Sequence, residues 1–393
     1  MVRMRHLYLC AAVAAIAVPA IVHAELMIVG NDQKVTWDAA GKLITSAPGS
    51  DSISVVDIGG APEAPKIVVN LPLMNSVFGP PVNLAITPDG TLALVANSVT
   101  WAKAGDKPAP DDKLYVIDLE ASPPALIDTV EVGKQPSGLA INAAGNLALV
   151  ADRAANSISV LAIDGKKVKL VDTVSIAAPD AKSQVSAVAI TPDGKRALAT
   201  KFADHKVAVL AIDGQKVSYD GYDIPVGLWP YNLAITPDGK LALTADNGDA
   251  GSSDGQVDTV TVIDLEANPP RAIDKVVVGD APEGFAISPT GKIAAAILLN
   301  GSGGVPKDAW FANPTGKVAV LSIDGKKVTK TGEVPVGALP EGVVFSQDGS
   351  HLYVGNFLDS DVSILKVDGT QVTDTGKTLK LPGQPASMRA DHP

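Results

Sequence analysis

Few side chains in this sequence have the type and position to do chemistry near neutral pH. Of the five histidines, His6 and His23 fall in the first 24 residues, His351 follows a turn and His392 is next to last. That leaves His205, in Lys201-Phe-Ala-Asp-His205, as the histidine placed to act as a general base, oriented by Asp204, or to be an ordinary surface residue. Glu283 and Glu341 stand in a repeated Pro-Glu-Gly, and Asn83 and Asn232 occupy matching segments elsewhere. Carboxylates and amides brought together could exchange protons with a substrate. They could equally hold Ca²⁺, which takes roughly six to eight oxygen ligands, or merely solvate a channel mouth.

Arg153 and Lys201 are cations in an acidic chain, suited to grip an anion or to form common ion pairs. All four tryptophans, Trp37, Trp101, Trp229 (close to Tyr231) and Trp310, lie between strands, although aromatic residues make up only 4% of the sequence. They suit a rigid binding surface, or they staple long loops. The stretch from Asp246 to Asp258 is rich in oxygen ligands but lacks the spacing of a calcium loop, and reads as a solvated loop. No His-Glu-x-x-His, phosphate-binding Gly-Lys loop or dinucleotide fingerprint occurs.

The elements that must position these residues repeat. The phrase Pro81-Val-Asn-Leu-Ala-Ile-Thr-Pro-Asp-Gly90 returns at 136–145, 185–194, 230–239, 282–291 and 340–349. Each copy is a short apolar strand, a hairpin turn in which proline presets φ and glycine accepts a left-handed conformation, and a second apolar strand. A third strand follows, as in Leu114–Asp118 or Ile158–Ala162. A fourth comes after an Asp-Gly-Lys-Lys or Asp-Leu-Glu-Ala type of turn. Spacings of 45 to 58 residues and four antiparallel strands per unit describe propeller blades.

Six copies leave the ends to be explained. Met27–Asn31, Ser52–Asp57 and Lys66–Leu71 read as second, third and fourth strands, and Pro385–Met388 as an orphan first strand. The expectation is therefore an all-β, seven-bladed β-propeller over residues 25–393, closed by one C-terminal and three N-terminal strands. In such a ring the long, variable loops share one face and the uniform turns the other.

Residues 1–24 read as a signal peptide: Arg3 and Arg5, an apolar run from Leu7 to Val18, then Val22-His-Ala24. Cys10, the lone cysteine, falls inside it, so the remainder would carry no thiol. Removing the peptide leaves 30 basic against 43 acidic residues, a charge near −13 that argues against nucleic acid. No later segment is long and apolar enough to span a bilayer. A monomeric periplasmic or secreted protein is expected.

The second-strand endings Tyr353-Val-Gly-Asn356, Leu94-Val-Ala-Asn97 and Ile28-Val-Gly-Asn31 resemble the YVTN-repeat family of seven-bladed propellers, with its YncE-like and lactonase-like members. Lys201 and Leu298 depart from the Asn or Asp that ends the other second strands, and Arg389 from the Ala (once Val) at its position in the other blades. The resemblance implies the fold and leaves the chemistry open. The leading expectation is a binding or interaction protein whose long-loop face engages a small ligand or partner protein. Alternatives are a lactonase-like or cycloisomerase-like enzyme working through His205, Glu283 or Glu341 at the channel mouth, and a redox subunit like an amine dehydrogenase heavy chain. No cofactor is evident.

Overall fold

The computed structural model describes residues 25–391, so the leader reading of residues 1–24 and His392 lie outside the described residues. Seven four-stranded antiparallel sheets form seven blades. Blade 1 pairs Gln384–Ala390 with Leu26–Asp32, Ser52–Asp57 and Lys66–Leu71, as the orphan strands require. Blades 2 to 7 follow in chain order, with inner strands Leu84–Ile86, Pro136–Ile141, Val185–Ile190, Pro230–Ile235, Pro282–Ile287 and Pro340–Phe345. No helix among the described residues is long and apolar enough to cross a membrane.

The hairpin turns explain the repeated Thr-Pro-Asp-Gly. Thr87 donates its hydroxyl to Asp89 Oδ1 (2.6 Å) and accepts from Leu92 N–H (3.0 Å), while Gly90, at φ 72°, donates to the Thr87 carbonyl (2.8 Å). Side chain and backbone thus fix one turn in register with the next strand.

Packing lies between blades. Each gap holds one apolar cluster, for example Leu147, Leu149 and Val160 of blade 3 against Val188, Ala197 and Leu210 of blade 4. The gap between the last and first blades is filled the same way, by Tyr353 and Ile364 against Met27, Val29 and Met388. Small residues along the second strands, such as Ala148, Ala199, Ala245 and Ala296, are fully buried and let the sheets approach closely. A β-ring has no free inner edge only if its ends meet. Here they do, from Met27 opposite Ala390 to Asp32 opposite Gln384, with Leu26 N–H donating to Asp391 Oδ2 at 2.9 Å.

The polar ends of the second strands tie that strand to the third. Asn356 donates to Asp361 Oδ1 and Ser363 Oγ (2.8 Å each), and its Oδ1 accepts from Gly337 N–H (2.9 Å). In blade 3, Asp152 accepts from Ser157 and Ser159 (2.9 Å each). The glycine of the recurring Val-Gly lies against this group, and a Cβ on Gly133 would collide with the Asp152 carboxyl.

Burial pushes the Asp152 carboxyl up to about 7 despite its hydroxyl bonds, from 3.8 for an ordinary aspartate. Between those values the unfolded chain has released the proton that the folded one keeps, so this group's stability contribution is lost as pH rises through that window. Asp152→Asn would reproduce the bonding of Asn356 without a charge. The variant should melt higher than the parent at pH 8, by roughly 1–4 kcal/mol of stability, and show no gain at pH 4. Thermal melts at the two pH values check this, and a lower melting point at pH 8 would contradict it.

Candidate active site

A cavity of about 660 Å³ opens at the long-loop end of the ring axis, within the range of small-molecule sites. Blades 3 to 7 and the loops around them all contribute to its wall. One side is apolar, with Trp37, Leu43, Phe78 and Leu339; the other carries Arg153, Lys182, Gln184, Tyr231, Glu283 and Glu341.

The apolar side depends on a hairpin, Val35–Trp37 with Leu43–Thr45, inserted between the second and third strands of blade 1. Its base is pinned by Lys34, which is fully buried. The ammonium pairs with Asp51 (2.6 Å) and Asp32 (3.3 Å) and donates to the Asn75 carbonyl. Buried ions cost desolvation, and these carboxylates offset it by accepting the N–H groups of Gln33, Lys34 and Val77 as well. Trp37 then rests edge-on against Phe357, ring centroids 5.9 Å apart, with its other surroundings in the cavity wall.

The polar side arises from one position of the repeat. The residue after the first proline of each inner strand is Tyr231 in blade 5, Glu283 in blade 6 and Glu341 in blade 7. The pairing register breaks there, between Pro282 and Phe285 and between Pro340 and Val343, which re-aims these side chains from sheet to axis. The preceding residues Trp229, Ala281 and Leu339 all have φ near +50°, a backbone conformation that non-glycine residues rarely adopt.

Glu283 and Glu341 are buried and close enough for the charge of one to bear on the other, and Glu341 Oε2 has no hydrogen-bond partner among the described residues. Burial raises both carboxyls above the ordinary glutamate range, and Glu341 is raised further because the Glu283 charge faces it. Two such facing carboxyls resist ionising together. Arg153 and an N–H from Asn247 (3.3 Å to Oε1) favour the charge on Glu283, whereas the facing Glu283 charge disfavours one on Glu341. Arg153 is itself fixed by Gln184 Oε1 (3.1 Å from Nε, 2.7 Å from Nη2) and lies over the rings of Phe202 and Tyr231, at 4.9 and 5.6 Å. Burial beside the two glutamates holds the Tyr231 hydroxyl protonated, well above the usual phenol range.

The structure therefore brings together Trp37, Arg153, Tyr231, Glu283 and Glu341. The other candidate residues lie elsewhere. His205 has φ 58°, accepts the Trp229 N–H at Nδ1 (3.0 Å) and stacks edge-on to the Trp229 ring, which places it in the loop wall instead of the cavity. Lys201 pairs with Asp223 (2.9 Å) and Asp204 (3.6 Å). Asn83 and Asn232 are one position further along their strands than the glutamates. Asn83 donates to Asn75 Oδ1 (2.9 Å) and the Ala96 carbonyl (2.6 Å), and Asn232 Oδ1 accepts from Leu233 N–H. Trp101 is buried, its indole donating to the Ser46 carbonyl (2.7 Å), and Trp229 packs on Phe202. Trp310 is 81% exposed beside Phe311.

Asn247 is the site residue that residue-type reasoning passed over. It sits in the Asp246–Asp258 stretch, but it is fully buried against Glu283, and Gly251 and Ser252 of the same loop line the cavity. Its only sequence signal is its place directly after the second strand of blade 5. Among the described residues, no three His, Cys, Asp or Glu converge as metal ligands.

The chain matches no family model and no curated protein. Solved structures do resemble it. Two are provisionally assigned 6-phosphogluconolactonases. The Bacteroides uniformis protein has 16% identity and TM-score 0.70, over 93% of this chain and 99% of that one. The Bacteroides fragilis protein has 18% identity and TM-score 0.69, over 95% and 99%. A periplasmic gluconolactonase from Pseudomonas aeruginosa has 18% identity and TM-score 0.67, over 94% and 99%. At such identities the likeness is one of fold, and it extends over nearly the whole chain.

Proposed function

We propose that this chain is a hydrolase of small lactones, acting in the cavity over the ring axis and exported from the cytoplasm. The observation that carries the reading is the buried, facing pair Glu283 and Glu341, with Arg153, in a cavity of small-molecule size. A pocket that only binds gains nothing from burying two carboxyls, which is costly; a pocket that moves protons near neutral pH requires such raised groups. The lactonase names borne by propellers of the same fold agree with it.

In this mechanism Glu283, ionised, takes a proton from a water that attacks the lactone carbonyl. The Arg153 guanidinium and the Tyr231 hydroxyl stabilise the oxyanion that forms. As the ring C–O bond breaks, the proton passes from Glu283 to the departing alkoxide, giving a hydroxy acid that ionises in solution. That transfer regenerates the Glu283 base, while Glu341 stays protonated throughout and donates a hydrogen bond to Glu283. The apolar wall of Trp37, Leu43 and Phe78 excludes bulk water and holds the substrate's carbon skeleton.

Release of acid from glucono-1,5-lactone, dihydrocoumarin and an aliphatic γ-lactone, followed by pH-stat, tests the proposal. Turnover of at least one well above the buffer rate is expected. Absence of turnover on all three, with and without added Ca²⁺, would remove it. Trp310, exposed on the same face, favours a second reading, recognition of a partner protein by the long loops.

A further inference from the structure

The opposite end of the ring axis carries a feature that lactone hydrolysis does not use. Four positions after the first residue of each repeat phrase, the inner strands carry Ala85, Ala140, Ala189, Ala234, Ala286 and Val344; in blade 1 the residue is Arg389. These positions line a second cavity, about 340 Å³, at the hairpin-turn end, whose wall is otherwise almost wholly aliphatic. Among the described residues, Arg389 makes no side-chain hydrogen bond and no ion pair. The other charged residue of the wall, Asp391, has its Oδ2 engaged by Leu26 N–H (2.9 Å).

A guanidinium held among alkyl groups without an acceptor is unfavourable, and the protein gains stability from any anion that satisfies it. Burial lowers Arg389 only to about 10, so it is charged at neutral pH. One cation with Asp391 nearby suits a single negative charge better than a phosphate dianion, and apolar walls suit a hydrocarbon body. We propose that this end of the channel is a second binding site, for a small monocarboxylate with an apolar tail or ring, whose carboxylate is held by Arg389.

Octanoate and benzoate serve as probes in calorimetric titration of the full chain. Both should bind, inorganic phosphate should bind more weakly or not at all, and Arg389→Met should weaken octanoate at least tenfold. Glu283→Gln, at the other end of the axis, should leave octanoate binding unchanged. If Arg389→Met does not fold, NMR of the arginine Nε–H resonances in the unmodified protein gives the answer, because octanoate must shift the Arg389 signal and leave that of Arg153, in the other cavity, in place. No binding, equal binding by Arg389→Met, no arginine shift, or tighter binding of phosphate than octanoate would each overturn the proposal.

Discussion

Replacing Glu283 with glutamine should lower lactone turnover by about 10²–10⁴-fold, the usual scale for loss of a positioned general base. The fold should persist, since an amide can accept the Asn247 N–H as the carboxylate does. Glu341→Gln should behave differently, because an amide N–H can donate to Glu283 in place of the carboxyl O–H. The pH profile separates the two roles. In the parent protein, rate should rise with pH through the first ionisation of the pair, which burial lifts above the ordinary glutamate range, and fall again when the second proton is lost. Glu341→Gln should keep the rising limb and lose the falling one, since nothing remains at 341 to ionise. A profile in which both variants merely scale the parent curve down would mean that the pair is structural, whatever the lactone.

Much of the ring was legible in the sequence because its signal is repeated. A hairpin turn written as Thr-Pro-Asp-Gly is a local device, and its recurrence sets the phase of every strand between two turns. Even the split blade follows from arithmetic of strands, with Met27–Asn31 and Pro385–Met388 as halves of one sheet. The site was less legible, for a reason in the geometry. Chemistry-bearing residues attract attention by type, as His205 did, yet side chains meet in a propeller by register across blades that lie about fifty residues apart. Tyr231, Glu283 and Glu341 share one register position, whereas Asn83 and Asn232, grouped with the glutamates by proximity in sequence, belong to the next. Asn247 was hidden further, since a residue in a polar loop gives no sign that the loop folds inward to bury it.

Deleting the chain from Gln384 onward should lower the melting temperature by on the order of 10 °C or more, the largest stability effect expected of any terminal change. The segment supplies the inner strand of blade 1, and with it the buried side chains of Pro385, Ala386, Met388 and Ala390. Removing Met388 alone, by Met388→Ala, should cost roughly 2–5 kcal/mol, because it fills the last interblade gap beside Tyr353 and Val29. Losing the strand also exposes the unpaired edge of Leu26–Asp32, which invites association with a second chain. Scanning calorimetry and light scattering measure the two consequences separately. A synthetic peptide of residues 384–391 added in excess should restore part of the melting temperature, as binding to the folded ring alone requires. A truncated protein that melts with the parent and stays monomeric would show that the six other blades hold the ring without their latch, and the placement of Ala386 and Arg389 on the axis would have no structural basis.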